Sequence, residues 1–245
     1  MVPAMVYLIG LSQHQAHGTS LAAITFIVLL GAITYNANGQ MDWLIAAELA
    51  FGGVFGAMIG ARICNKISGR HLRRYFGIFL MVVAGRMLWD VIAANFGGPA
   101  VNGDHMNLIS PHGLGALAVI GVGVFTGILS GLMGVGGGII MIPAMIYLMG
   151  LTQKLAQGIS LAVIIPVSIS GALIHASHGN VRKDVGVLLV VGGVSGGLIG
   201  AWLAMRLPSD ILRATFGAFL IILGGMMAAR RDKQPSGQVD NAEGG

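Results

Sequence analysis

Apolar residues fall in runs of about 20, each closed by glycine or by a short polar cluster. A helix of that length spans the ~30 Å hydrocarbon core of a bilayer. Half-buried strands would instead alternate apolar and polar residues over shorter stretches. The runs predict helices over 13–36, 42–63 and 71–95 in the first part, and over 115–133, 154–177, 184–206 and 210–230 in the second. Two shorter stretches, 2–10 and 138–150, are too brief to cross and read as broken or re-entrant helices. Gly10 and Gly150 precede Ser12 and Thr152, so glycine ends one helix and a hydroxyl caps the next. Pro166 is expected to kink only the second-part helix, because Phe26 stands opposite it.

Sliding the chain along itself exposes a duplication. Met1–Ile24 matches Met141–Ile164 without a gap, and the offset of about 140 persists. Gly31-Ala32 falls on Gly171-Ala172, Gly39 on Gly179, and Phe76-Gly77 on Phe216-Gly217. Roughly 34 of the first 87 positions are identical under this shift. The chain divides into a first repeat over 1–95, a connector over 96–113, a second repeat over 114–230 and a disordered tail over 231–245. The second copy is preceded by Leu114–Ile140, an apolar helix ending in a glycine run, and the first copy starts opposite Met141. The reading favours a start placed at an internal methionine, or a truncated product, over loss of that helix.

Composition sharpens the picture. Of 245 residues, 55% are hydrophobic and 9% charged, with a mean hydropathy of +0.83. Soluble domains carry about 25% charge, so this fraction predicts an all-α integral membrane protein with many spans. The formal charge of +5 does not point to nucleic acid, because the basic residues lie between apolar segments and read as topology signals. Arg62, Lys66, Arg70, Arg73 and Arg74 crowd one loop, Arg206 and Arg213 its second-copy equivalent, and Arg182, Lys183, Arg230, Arg231 and Lys233 the other ends. Taken over the thirteen Lys and Arg residues other than Arg86, parallel copies divide the charges about eight to five, and inverted copies with a cytoplasmic C-terminus about ten to three. The positive-inside rule therefore favours inverted-topology repeats, a frequent plan of secondary transporters.

Candidate chemistry concentrates at the break. Gly134, Gly136, Gly137 and Gly138 lie at membrane depth between a long and a short helix, where irregular backbone needs protein or a wet cavity around it. The run is either an anion cradle, with exposed N–H groups before a helix N-terminus, or a tight helix-to-helix turn. It is not a P-loop or a dinucleotide fingerprint. Gln13, Gly18, Thr19 and Ser20, matched by Gln153, Gly158 and Ser160, open long helices, and either bind an anion through neutral donors or serve helix packing. Gly52, Gly56 and Gly60, with Gly192, Gly196 and Gly200, read as packing ridges. Glu48, Arg86 and Asp90 are intramembrane charges, forming a structural ion pair or a proton or substrate relay. His175 and His178 read as interfacial residues. Cys64, as the single cysteine, excludes an intramolecular disulfide. No metal site, cofactor or nucleophile–base set emerges, so an enzyme has little support.

The run Gly131–Val163, its copy from Met1 and the His175–Asn180 ending together resemble the sulfite exporter TauE/SafE family of membrane permeases. That resemblance implies multi-pass permeases of a prokaryotic plasma or inner membrane with duplicated halves, exporting or importing sulfite and small organosulfonates. The expectation is a secondary transporter that binds its anion at Gly136–Gly138 with Thr19, Ser20, Gln153 and Ser160, works by alternating access, and couples to protons. The rivals are an uncoupled channel-like facilitator and a non-transporting membrane scaffold.

Overall fold

The computed structural model describes residues 5, 9–64, 69–96, 115–133 and 138–229. These form eight helices: α1 (Gln13–Ala37), α2 (Trp43–Cys64), α3 (Gly69–Asn95), α4 (Gly115–Met133), α5 (Gly138–Met149), α6 (Gln153–Ser177), α7 (Lys183–Arg206) and α8 (Ser209–Ala229). No strand occurs among the described residues. Six helices, α1, α2, α3, α6, α7 and α8, are long and apolar enough to cross a membrane, and α4 and α5 have shorter apolar stretches. The expected bounds match within two residues. The stretch 2–10 lies outside the described residues except for Met5, Ile9 and Gly10, as do the connector beyond Phe96 and the tail.

Local chemistry accounts for the helix ends. The Ser12 hydroxyl accepts from the Gln15 amide at 3.2 Å, and the Gln15 side chain returns the bond to the Ser12 amide, closing a capping box. Thr152 caps α6 by accepting from the Leu155 amide, and Asp42 caps α2 by accepting from Leu44 and Ile45. α1 and α6 end in the same turn. Gly39 (φ 67°) and Gly179 (φ 68°) take the left-handed conformation, and Gln40 and Asn180 donate back to Tyr35 and His175, each at 2.9 Å.

Matched helices pack against each other in antiparallel fashion. The start of α1 meets the end of α6: a Cβ on Gly18 would stand 2.5 Å from the Asn180 carbonyl oxygen. The start of α6 meets the end of α1, where Gly158 faces the Gln40 carbonyl. α3 and α8 repeat the arrangement, with Gly77 and Gly224 each facing the other's carbonyl at 2.6 and 2.7 Å from a would-be Cβ. α2 and α4 instead run parallel, with Gly52, Gly56 and Gly60 on the carbonyls of Ile120, Val124 and Ile128. Lipid tails are as apolar as leucine, so such helices associate through close packing rather than through hydrophobic exclusion. The ridge reading therefore describes α2, whereas Gly192, Gly196 and Gly200 on α7 meet nothing within 4 Å.

α5 sits at the centre. Ile140, Met141, Ile142, Met145, Ile146 and Met149 are all buried, packed with Leu49 of α2, Leu80 and Met87 of α3, Val119 of α4 and Leu220 of α8. Apolar side chains such as Phe55, Trp89, Leu188 and Ile222 face outward, the pattern of a lipid-exposed bundle.

Alanine at Gly56 would press a methyl against backbone that cannot yield, so Gly56→Ala is expected to cost about 2 kcal/mol or more. Gly121, on α4, has open space at its Cβ position, so Gly121→Ala is expected to stabilise by about 0.5–1 kcal/mol. Circular dichroism during SDS titration in mixed micelles checks the contrast; equal responses would refute the close-packing account.

Candidate functional site

The site is built where α5 begins. The first-turn amides of a helix lack intrahelical partners, and at α5 that turn starts with Gly138. The Ser160 hydroxyl of α6 lies 2.7 Å from where a Gly138 Cβ would stand, an approach that glycine admits without any shift of the serine. Ser160 itself is buried. A cavity of about 500 Å³ opens here, walled chiefly by aliphatic groups including Ile139, Ile142, Leu161 and Ala204, with Phe216. Three polar side chains interrupt that wall: Tyr35, Gln157 and Ser160. The Tyr35 hydroxyl donates to Gln157 Oε1 at 2.8 Å, tying α1 to α6 across the cavity's polar side.

Gln153 lies one turn before Gln157 on the stripe that continues through Ser160 and Ile164, a single helical face. It is 2% exposed, and among the described residues both its amide oxygen and its amide nitrogen lack a hydrogen-bond partner. A buried, unsatisfied amide is costly, and such groups in a native fold call for an explanation.

The other sequence candidates separate. Gly18 and Gly158 are taken up by the close approaches to Asn180 and Gln40 described above. Thr19 is buried and accepts the Arg182 amide at 3.0 Å, fixing the α6–α7 turn against α1. Ser20 is buried on the same helix. Thus Gly138 and Ser160 come together, with Gln153 on the Ser160 face, and Thr19 engages the turn instead of lining the cavity. Gly134, Gly136 and Gly137 lie outside the described residues, as does the side chain of Gln13. In the α6–α7 turn, Arg182 donates to both Asp184 carboxylate oxygens at 3.0 and 2.6 Å. That hydrogen bonding raises the Arg182 guanidinium above its ordinary value. Both groups are solvent-exposed, so the pair adds little stability.

The charges form a second cluster at the far end of α5. Arg86 pairs with Asp90 one turn on along α3. The Tyr147 hydroxyl of α5 donates to Asp90 Oδ2 at 3.0 Å. Arg213 of α8 approaches the same carboxylate at 4.0 Å, with both side chains 4–5% exposed. The two guanidinium groups lie 5.9 and 5.8 Å from the Tyr147 ring centroid, within cation–π range. Among the described residues, Arg213 Nε and Nη1 are buried without hydrogen-bond partners, and so is Glu48 Oε2 on α2. Charge counting treated Arg213 as one of the loop cations and missed this role. The available signal was its place on the stripe Arg213, Gly217, Leu220 and Gly224, every member of which is buried.

Removing a carboxylate beside a buried guanidinium leaves that charge uncompensated, at about 3–5 kcal/mol. Asp90→Leu is therefore expected to destabilise by about 3 kcal/mol. Arg213→Leu is expected to cost less, since Asp90 keeps Arg86 and Tyr147, and the double variant should recover part of the Asp90→Leu loss. Thermal unfolding in detergent measures this cycle; strict additivity would show that the two groups do not interact.

The sequence is similar to those of known membrane transporters. The sequence profile of the family described as "Sulfite exporter TauE/SafE" matches residues 1–87 and 118–243. A "Probable membrane transporter protein" of Xylella fastidiosa is 29% identical over 222 residues, covering 89% of this chain and 82% of its own. The "Probable membrane transporter protein YunE" of Bacillus subtilis is 26% identical over 241 residues, with coverage of 91% and 86%. A relative of the same description from Methanocaldococcus jannaschii is 25% identical over 219 residues, covering 85% of this chain and 77% of its own. No solved structure matches the chain.

Proposed function

The chain belongs to the sulfite exporter TauE/SafE family, and on that footing we propose that this multi-pass membrane permease carries a small sulfur oxyanion, sulfite or an organosulfonate. The observation that carries the reading is the cavity at the start of α5, where Ser160 stands against Gly138. Neutral donors suit an anion that must leave again, because they avoid the expense of a permanently buried cation. The Ser160 hydroxyl and the first-turn amides of α5 hold the anion, aided by the positive end of the helix. Gly134, Gly136 and Gly137 lead into that turn, and Gln153 supplies its unpartnered amide from the Ser160 face.

Transport proceeds by alternating access, with the two halves in inverted orientation and the C-terminus in the cytoplasm of a prokaryotic cell. The antiparallel packing of α1 on α6 and of α3 on α8 supports inversion, since each pair matches under the internal shift. A site between inverted halves near the midplane is the common arrangement of such carriers. Ser20 and Gln13, matching Ser160 and Gln153, make up the corresponding surface of the other half. The Asp90 cluster, with Glu48, is the place where a coupling proton is handled, since intramembrane carboxylates are the usual carriers of proton relays.

Labelled sulfite uptake into proteoliposomes tests the reading. The wild-type chain is expected to give saturable flux above protein-free liposomes. One lost hydrogen bond to a charged ligand is worth about 1.5–3 kcal/mol, so Ser160→Ala is expected to weaken apparent affinity by about tenfold or more. Wild-type affinity in a folded Ser160→Ala protein would remove this cavity as the anion site. Flux equal to that of empty liposomes for sulfite and for organosulfonates would remove the substrate assignment.

A further inference from the structure

α7 matches α2 glycine for glycine: Gly192, Gly196 and Gly200 fall on Gly52, Gly56 and Gly60. The two faces differ in what covers them. Each glycine of α2 sits on an α4 carbonyl, whereas among the described residues a Cβ at any of the three on α7 would meet nothing within 4 Å. Flanking side chains are open as well, with Leu188 74%, Val191 63% and Ile199 65% exposed. Lipid explains exposed leucine and valine but not glycine, which costs a helix roughly 1 kcal/mol relative to alanine. Three glycines at four-residue spacing gain their value when another backbone lies on them.

A second observation points to the same missing neighbour. An apolar cavity of about 350 Å³ opens beside the face, lined by residues of α1 and α7 that include Phe26, Gly186, Val187 and Val191. Across the duplication, Ala46 matches Gly186, and Ala46 is buried in one cluster with Val119 and Val122 of α4. The space left open beside α7 therefore corresponds to space that α4 fills beside α2.

We propose that the Gly192–Gly196–Gly200 face of α7 docks a further transmembrane helix of the α4 type, apolar, with two glycines four residues apart, running parallel to α7. The pose follows from the existing interface. Gly123 and Gly127 of α4 lie against the backbone of Leu49, Gly52 and Gly53, so the docked helix sets its glycines against Leu189, Gly192 and Gly193. Gly200 lines the 500 Å³ cavity, while its match Gly60 is covered by Ile128. The docked helix thereby walls that cavity from lipid. This last consequence rests on the transport reading; the docking does not.

The test uses a synthetic lysine-flanked peptide of the α4 sequence Gly115–Met133, donor-labelled, with the full chain acceptor-labelled at its C-terminus in lipid nanodiscs. Saturable energy transfer is expected, weakened at least tenfold by Gly196→Leu and unchanged by Gly85→Leu, another glycine with open space at its Cβ position. Because Gly196 faces open space, leucine there leaves the fold intact, which circular dichroism and size exclusion verify. Absence of transfer, or transfer indifferent to Gly196→Leu, overturns the proposal. So does transfer between two labelled copies that Gly196→Leu abolishes while the peptide gives none, since the occupant is then a second copy. None of these outcomes depends on sulfite flux.

Discussion

Backbone-to-backbone contact between helices is the constraint from which the rest follows. Lipid offers little reward for pushing leucine against leucine, so cohesion comes from surfaces close enough for dispersion and polar backbone contact. Glycine makes that approach available, and its partners here are carbonyls: Asn180 over Gly18, Gln40 over Gly158, and the paired Gly77 and Gly224. Because these contacts occur twice, in corresponding places, the bundle assembles around two crossings of matched helices, α1 on α6 and α3 on α8. α5, too short to cross, is enclosed between them.

That enclosure gives α5 two working ends. Gly138 and Ile142 border the cavity, and Tyr147 reaches the carboxylate shared by Arg86 and Arg213. Nine residues separate Gly138 from Tyr147, about 14 Å at helical rise. α8 also reaches both places, with Leu212 and Phe216 at the cavity and Arg213 at the charges. The two places are thus joined by rigid elements, so a change in the pairing of Asp90 has a direct mechanical route to the cavity.

Much of this was legible in the sequence, for identifiable reasons. Run length sets span length, and Gly10, Ser12, Gly150 and Thr152 mark helix ends by local backbone chemistry, so the bounds came within two residues. The 140-residue shift picked out Gly18, Gly158 and Gly77, which meet backbone, but also Gly192, Gly196 and Gly200, which meet nothing within 4 Å among the described residues. The fine division of labour was not legible. Gly18 and Gly158 have the same local signature whether they meet a ligand or a turn, and only the crossing of α1 on α6 decides. Arg213 reads as a loop cation because it follows Arg206 and Asp210 near a helix start. Its burial depends on Asp90 and Tyr147, 123 and 66 residues away in sequence. The matching ridges of α2 and α7 are indistinguishable as strings, and differ only in whether a neighbour lies on them.

A carbonyl is present whatever residue carries it. Where one side chain fits another, a bulkier substitution on one helix can be relieved by a smaller residue across the seam. Opposite Gly56 or Gly158 no such trade exists, since shrinking Val124 or Gln40 leaves their oxygens in place. Genetic reversion at these crossings is therefore confined to restoring the original glycine, and the two halves cannot drift apart by compensating pairs there.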